Sequence, residues 1–447
     1  MKTTGAVQVF DDKSVWDVIR DVASRPEQEE PFYIVDLSDL VWKHKQWKLK
    51  LPRVEPFYAV KCNDTTTVLE VLAALGTGFD CASKNEIQKI LDLGVDPSRI
   101  IYANPCKTSS YIRYAAKQGV SVMTFDNEIE LHKVKNLFPD AQMVLRIRID
   151  AEARCPLGIK FGIEPEKAPY LLKVAKELGI NVVGVSFHVG SGCRELSAFE
   201  KAIKASRWVF NVAEKMGFNL TLLDIGGGYP GLKEGSITFD QIALTINLAL
   251  DKYFPEDLGI KIIAEPGRYY VASAFTLCVN VIAKREVVEQ NEDGTDKRMN
   301  MYYVNDGAYG SFNCLLYDHA EVSAIPLWKS AMDPTYESSV WGPTCDSLDC
   351  ILKTCHLPAM DIGDWMVFEE MGAYTVAAGS TFNGFQKPGL IYIASRVTWL
   401  HLEHLVTSSA LEKSLPMMKT GHEIAGDMFF LEGKDPIYST ELNVVDA

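Results

Sequence analysis

Apolar runs rich in β-branched and aromatic residues recur eight times in the first part of the chain, at 57–61, 78–82, 99–103, 121–125, 142–147, 181–187, 219–224 and 261–265. Most of the gaps hold apolar residues at helical spacing, as at 66–75, 84–93, 111–118, 128–136, 168–178, 198–216 and 239–253. Short strands alternating with helices form parallel sheets, because a parallel return needs a crossover of about a dozen residues or more. A doubly wound open sheet and a closed barrel both satisfy the alternation. Eight repeats between residues 57 and 265 match a TIM-like (β/α)8 barrel, and an α/β fold of that kind is expected.

Beyond residue 270 the pattern changes. Alternating runs at 275–283, 299–304, 365–368 and 390–394 are separated by Gly, Pro, Asn and Asp, with few helical stretches between them. This texture predicts a mostly antiparallel β domain, with 289–297 as a polar hairpin loop. An earlier run at 32–37, followed by helical spacing at 39–48, precedes the barrel and is placed to pair into that second sheet. The expected division is therefore a barrel over 38–269, a discontinuous β domain from 1–37 plus 270–406, and a partly disordered tail over 407–447.

Composition adds limits. A chain of 447 residues, 47% hydrophobic and 23% charged, has enough apolar material for two globular domains. A formal charge of -14 disfavours nucleic acid and anionic membranes as partners and mildly favours a cationic small molecule. The ten cysteines include no Cys-x-x-Cys pair and no zinc spacing with histidine, which predicts reduced thiols, a cytoplasmic location and no metal site. Residues 1–12 lack the apolar core of a signal peptide, and runs such as 271–283 are too short and too polar to span a bilayer.

In a barrel of this kind chemistry gathers where the strands end. The endings are Lys61, Asp80, Asn104, Arg146, His188-Val-Gly-Ser191-Gly, Asp224-Ile-Gly226-Gly227-Gly228 and Glu265-Pro266-Gly267-Arg268. A lysine at the end of a buried strand is either paired with a carboxylate or used as a nucleophile, and the window 57–63 alone admits both. Gly226–Gly228 follow the seventh strand and Gly267-Arg268 the eighth, the usual phosphate position of this architecture. Consecutive glycines expose backbone N–H groups, and an arginine adds charge-assisted bonds. A phosphate anchor together with a strand-end lysine points to pyridoxal 5'-phosphate bound as a Schiff base. Glu265 then suits the pyridine nitrogen, or else forms a barrel-mouth salt bridge with Arg268 or Arg146. His188 either stacks on the ring or is a core histidine.

Phe57-Tyr-Ala-Val-Lys61, His188-Val-Gly-Ser191-Gly192, Asp224-Ile-Gly-Gly-Gly228, Glu265-Pro-Gly-Arg268, Trp341-Gly-Pro-Thr-Cys345-Asp346 and Gly372-Ala-Tyr374 together resemble the eukaryotic ornithine decarboxylases. The likeness runs from about residue 30 to about residue 400, with motif order kept. It implies an alanine-racemase-like, fold type III decarboxylase that converts L-ornithine to putrescine and CO2, the first step of polyamine biosynthesis. It also implies a head-to-tail homodimer with shared active sites, acting on a small cationic amino acid.

Carried over, the resemblance makes Lys61 the Schiff-base lysine. It places the phosphate on Ser191, Gly228, Arg268 and Tyr374, with Gly226, Gly227, Pro266 and Gly267 among the other cofactor-binding residues. Glu265 would hold the pyridine nitrogen and His188 the ring face, with Asp80, Glu86 and Arg146 lining or supporting the site. Cys345 would be the acid that reprotonates the substrate carbon. Asp318, Asp346, Tyr317 and Phe382 would contact the substrate, and Lys160, Asp349 and Gly372 the dimer interface. Residues 107–133, with Arg113, Glu130 and Lys133, resemble an antizyme-binding segment, and two solvated barrel helices are the plainer reading. The same likeness leaves lysine, arginine, diaminopimelate or a branched aliphatic amino acid as other substrates. Non-catalytic antizyme inhibitors belong to the same group.

Overall fold

The computed structural model describes residues 7–231, 237–290, 296–330 and 332–414. Seven of the eight expected runs contain a strand, and the first, 57–61, overlaps one that begins three residues earlier: β1 (Val54–Ala59), β2 (Gly78–Cys81), β3 (Ile100–Tyr102), β4 (Val122–Phe125), β5 (Gln142–Arg146), β6 (Asn181–Ser186), β7 (Leu222–Asp224) and β8 (Lys261–Ala264). All pair in parallel with their neighbours, and β8 closes on β1. Phe57, Ile101, Val144, Val183, Leu222 and Ile263 pack together inside, so the barrel is filled by side chains. Gly78 makes room for the largest of them, since a Cβ there would lie 2.5 Å from the Phe57 ring.

One strand end differs from expectation. β1 stops at Ala59, whose N–H donates to the Pro266 carbonyl at 3.1 Å. Lys61 therefore sits two residues beyond the strand, on the single 3₁₀ turn Val60–Cys62. The outer helices begin at side-chain caps that satisfy otherwise orphaned N–H groups. Ser83 Oγ accepts from Glu86 N at 3.3 Å and Asn127 Oδ1 from Glu130 N at 2.9 Å.

The second sheet takes Phe32–Asp36 as an inner strand, antiparallel to Phe275–Gln290 and parallel to Gly389–Ser395. Beyond these lie Asp296–Val304, Thr335–Trp341 and Cys350–Pro358, while Trp365–Phe368 pairs with the 275–290 strand. Five of the sheet's eight pairings are antiparallel. Gln8–Phe10 and the helix Val15–Ala23 extend the fold in front of residue 32; Ser14 and Asp17 cap that helix reciprocally. The weak patterning near Thr407 does not end an element, because a helix runs from Arg396 to Ser414. Most of the expected tail, 415–447, lies outside the described residues, as does the tip of the 289–297 loop. Among the described residues no helix is long and apolar enough to cross a membrane.

Gly372 joins the two sheets' surroundings at close quarters. Its N–H donates to Ala272 O at 3.2 Å and its carbonyl accepts from Asn63 Nδ2 at 2.8 Å. A Cβ would penetrate the Val271 carbonyl oxygen. Gly372→Ala is expected to cost about 2–3 kcal/mol through overpacking, seen as a lowered denaturation midpoint.

Candidate active site

Lys61 points its ammonium at Asp80, on β2, and the two form an ion pair. The lysine side chain is 36% exposed while Asp80 is fully buried. Burial alone pulls the Lys61 ammonium downward, but Asp80 and then Glu265 overcome it and hold the group above the ordinary lysine range. Asp80 Oδ1 is buried without a hydrogen-bond partner among the described residues. Behind Asp80, Glu86 Oε2 accepts from Ala82 N at 2.5 Å, fixing the turn after β2.

Glu265 follows β8, and its N–H donates to Gly226 O at 2.7 Å. Burial, then the neighbouring Asp224 carboxylate, pushes the Glu265 carboxyl well up. Burial also lifts Asp224, to about 7, although Gly226 N–H donates to its Oδ1 at 2.9 Å. Burial lifts Asp36 and Asp306 to about 6 as well. A buried carboxyl with a raised folded-state value binds its proton more readily folded than unfolded. Its stabilising contribution is complete below the unfolded value near 4 and fades as pH climbs through the folded one. The protein should thus lose thermal stability between about pH 4 and 7, and Asp224→Asn should flatten the upper part of that slope.

His188 lies two residues past β6. Its Nδ1 accepts from Gly190 N at 2.9 Å, which leaves the proton on Nε2. Burial, then Arg146 and Lys61, holds it well below the usual histidine range, so the ring is neutral. Arg146, the last residue of β5, lies over the Phe161 ring at 5.3 Å.

The glycine run fits close backbone approach. Gly226 and Gly228 have φ of +62° and +114°, and a Cβ on Gly227 or Gly228 would lie 2.7 Å from His188 Nε2 or Val189 Cγ2. Gly267 packs on the lysine turn, where a Cβ would meet Cys62 Cβ at 2.8 Å. Arg268 Nη2 donates to Ser191 Oγ at 3.2 Å, and its guanidinium lies 5.3 Å from the Tyr374 ring. Tyr374 holds the left-handed φ of +56°, with its N–H on Cys62 O at 2.9 Å. A lysine amine, buried carboxylates, a neutral imidazole and a glycine–arginine–serine phosphate cradle form a donor set suited to pyridoxal phosphate.

The remaining expected residues fall in two places. Asp318 is buried against Arg268 at the barrel mouth. Cys345, Asp346, Tyr317 and Phe382 instead lie at the surface of the second domain. There Tyr309 donates to Asp346 and stacks on Phe382 at 4.5 Å, and Cys345 N–H donates to Asn383 Oδ1 at 3.1 Å. Lys160 is exposed, whereas Asp349 is buried and spends its carboxylate on Ala308 N, Thr344 N and Thr344 Oγ1, at 2.7 to 2.9 Å. Asp224, Arg154, Tyr309 and Asn383 were not singled out as site residues. Of these only Asp224, a strand ending, carried a sequence signal.

The pyridoxal binding domain of pyridoxal-dependent decarboxylases matches residues 37–272. Ornithine decarboxylase of Rattus norvegicus is 55% identical over 397 residues, 87% of this chain and 86% of that one. Antizyme inhibitor 2 of Xenopus laevis is 51% identical over 423 residues, 93% of this chain and 92% of its own. The solved structure of the Paramecium bursaria Chlorella virus arginine decarboxylase bound to agmatine is 36% identical, with a TM-score of 0.79 over 85% of this chain and all of that one. With its barrel, its lysine turn and its glycine cradle, the chain belongs to the pyridoxal-phosphate-dependent decarboxylase family.

Proposed function

We propose that the chain decarboxylates L-ornithine to putrescine and CO2 at the barrel mouth. The observation that carries this reading is one amine, Lys61, ion-paired with Asp80, held in the field of Glu265 and carried on a turn against which Gly267 packs beside Arg268. Ornithine decarboxylases at 45–55% identity support ornithine over the arginine and lysine enzymes, which stand at 32–36%. Held by the residues of this site, pyridoxal phosphate would supply an electron sink for the loss of CO2. Lys61 gives the covalent attachment point, and Glu265 holds the ring nitrogen. The neutral His188 offers an uncharged face to the ring. Ser191, Arg268, Tyr374 and the backbone of Gly226–Gly228 and Gly267 hold the phosphate, with Pro266 fixing their turn. Asp80 and Arg146 frame the lysine. Cys345 delivers a proton to the substrate α-carbon from its Sγ. Asp318 and Asp346, with Tyr317 and Phe382, receive the distal ammonium, since burying an unpaired charge penalises aliphatic competitors.

Cys345 is exposed, and Leu348 (69%) on its own loop, with Phe382 and Phe385 on the turn that its N–H bonds, leave apolar surface open. A second copy covering that surface brings Cys345 and Asp346 to the partner's barrel, which is the basis for a homodimer with shared sites. Lys160 and Gly372 then lie at or behind that interface, and Asp349 shapes the loop that enters it. The domain boundaries near 38 and 269 follow the barrel's extent.

The 51% identity to an antizyme inhibitor favours a second reading, a protein that binds antizyme without catalysis. Such a role gives no use to the full set from Lys61 to Tyr374. Antizyme recognition through 107–133 is compatible with catalysis. In that segment Glu130 is buried between Lys107 and Lys133, so exposed Arg113 and the Lys133 edge are the groups left to a partner.

CO2 release from a panel of ornithine, lysine, arginine, diaminopimelate and a branched aliphatic amino acid tests the assignment. The highest kcat/KM is expected on ornithine. A faster competitor reassigns the substrate, and no cofactor absorbance with no CO2 from any substrate reinstates the binding-only reading.

A further inference from the structure

The four-residue helix Cys314–Tyr317 delivers Asp318 directly onto Arg268. Arg268 Nη2 lies 2.6 and 2.7 Å from the two Asp318 oxygens and 3.2 Å from Ser191 Oγ. Both side chains are 5% exposed, so this is a buried ion pair. A terminal guanidinium nitrogen carries two hydrogens, and here three acceptors already surround it. The nitrogen that turns toward Ser191, the second proposed phosphate holder, is thus the one the carboxylate occupies.

We propose that Asp318 is an internal competitor for the phosphate-binding arginine, so that phosphate entry and the turning of Asp318 toward a substrate ammonium are one linked event. This deepens the decarboxylase reading and rests on its assignment of Arg268 to phosphate and Asp318 to the substrate cation. Separating a buried pair is costly unless each charge meets a new partner. Phosphate supplies one for Arg268, and a distal ammonium supplies one for Asp318. Arg154 Nη1, 3.5 Å from Asp318 Oδ2, steadies the carboxylate in the meantime. The segment has both room and stored strain. A cavity of about 450 Å³ opens beside it, lined by Arg154, Arg268, Cys314 and Ala320 among others, and His319 holds a φ of +51°. Linkage makes the effect reciprocal, with each ligand tightening the other by about 5–150-fold.

Calorimetry on the full-length protein, its cofactor released with hydroxylamine and then dialysed away, uses inorganic phosphate and 1,4-diaminobutane as probes. Wild type should bind the diamine at least about fivefold tighter in saturating phosphate. Asp318→Asn should bind phosphate roughly tenfold tighter than wild type and lose the diamine response. Diamine affinity independent of phosphate in wild type overturns the proposal, and that arm stands alone if the variant does not fold. Weaker or equal phosphate binding by folded Asp318→Asn also overturns it, showing that the carboxylate aligns Arg268 or is a bystander. Neither arm needs Lys61 or any CO2 release, so a failed substrate panel and a failed linkage are separate results.

Discussion

Lys61→Ala is expected to remove the visible absorbance of lysine-linked cofactor and to cut CO2 release by about four orders of magnitude or more. The variant should still fold, because the Lys61 side chain is 36% exposed and no strand pairing depends on it: β1, a strand of the barrel wall, ends at Ala59. The substitution does leave a mark on stability. Asp80 is fully buried and loses the cation that faces it, so its charge stands against the Glu265 and Asp224 carboxyls. An uncompensated buried charge is expensive. Lys61→Ala should therefore be less stable than wild type, and Lys61→Arg, which keeps a cation at the site, should recover stability without recovering turnover. Borohydride reduction followed by peptide mapping checks the covalent assignment independently, with the adduct expected on residue 61. Retained absorbance in Lys61→Ala, or an adduct on another lysine, would sink the assignment.

The barrel was legible because its strands are buried on both sides and read as unbroken apolar runs. Caps at Ser83 and Asn127 marked where helices begin. The second sheet was harder to read. Thr335–Trp341 carries exposed Tyr336 and a partly exposed Glu337, and its identity as a strand comes from pairing with 296–304 and 350–358. The antiparallel pairing of Ala153–Cys155 with Ser191–Cys193 has three residues on each side, too short for periodicity to show, yet it places Arg154 at the site. Strand-end rules pointed to Lys61, Asp80, Arg146, Glu265 and Arg268, because parallel barrels gather the residues near their strand ends at one mouth. They did not reveal that Arg268 meets Asp318, a contact between groups fifty positions apart in sequence. Asp349 shows the same limit. The resemblance placed it at a dimer interface, while its burial beneath Thr344 depends on how the loop folds back.

Cys345→Ala is expected to keep the cofactor and the melting temperature near wild type while lowering turnover by about two to three orders of magnitude, the range of a lost general acid. The loop itself explains why folding should survive. Gly342 and Gly307 flank the Asp349 carboxylate so tightly that a Cβ on either would collide with its Oδ1. That carboxylate holds Thr344 at both N and Oγ1, and Asn383, at φ +57°, takes the N–H of Cys345. None of these contacts uses the sulfur. The Cys345 side chain is exposed and is held by its backbone alone, so removing the thiol leaves the loop in place. Disturbing the frame should act differently: Asp349→Ala strands the Thr344 and Ala308 donors, and it should lower both stability and turnover. The dimer reading makes one more quantity available. If each site combines Lys61 of one subunit with Cys345 of the other, then randomly mixed Lys61→Ala and Cys345→Ala chains form hybrids with one intact site. Half of the dimers are hybrids, so activity should return to about one quarter of wild type. Sites built within single chains would leave the mixture as inactive as its parents, and that result would end the shared-site assignment for Cys345.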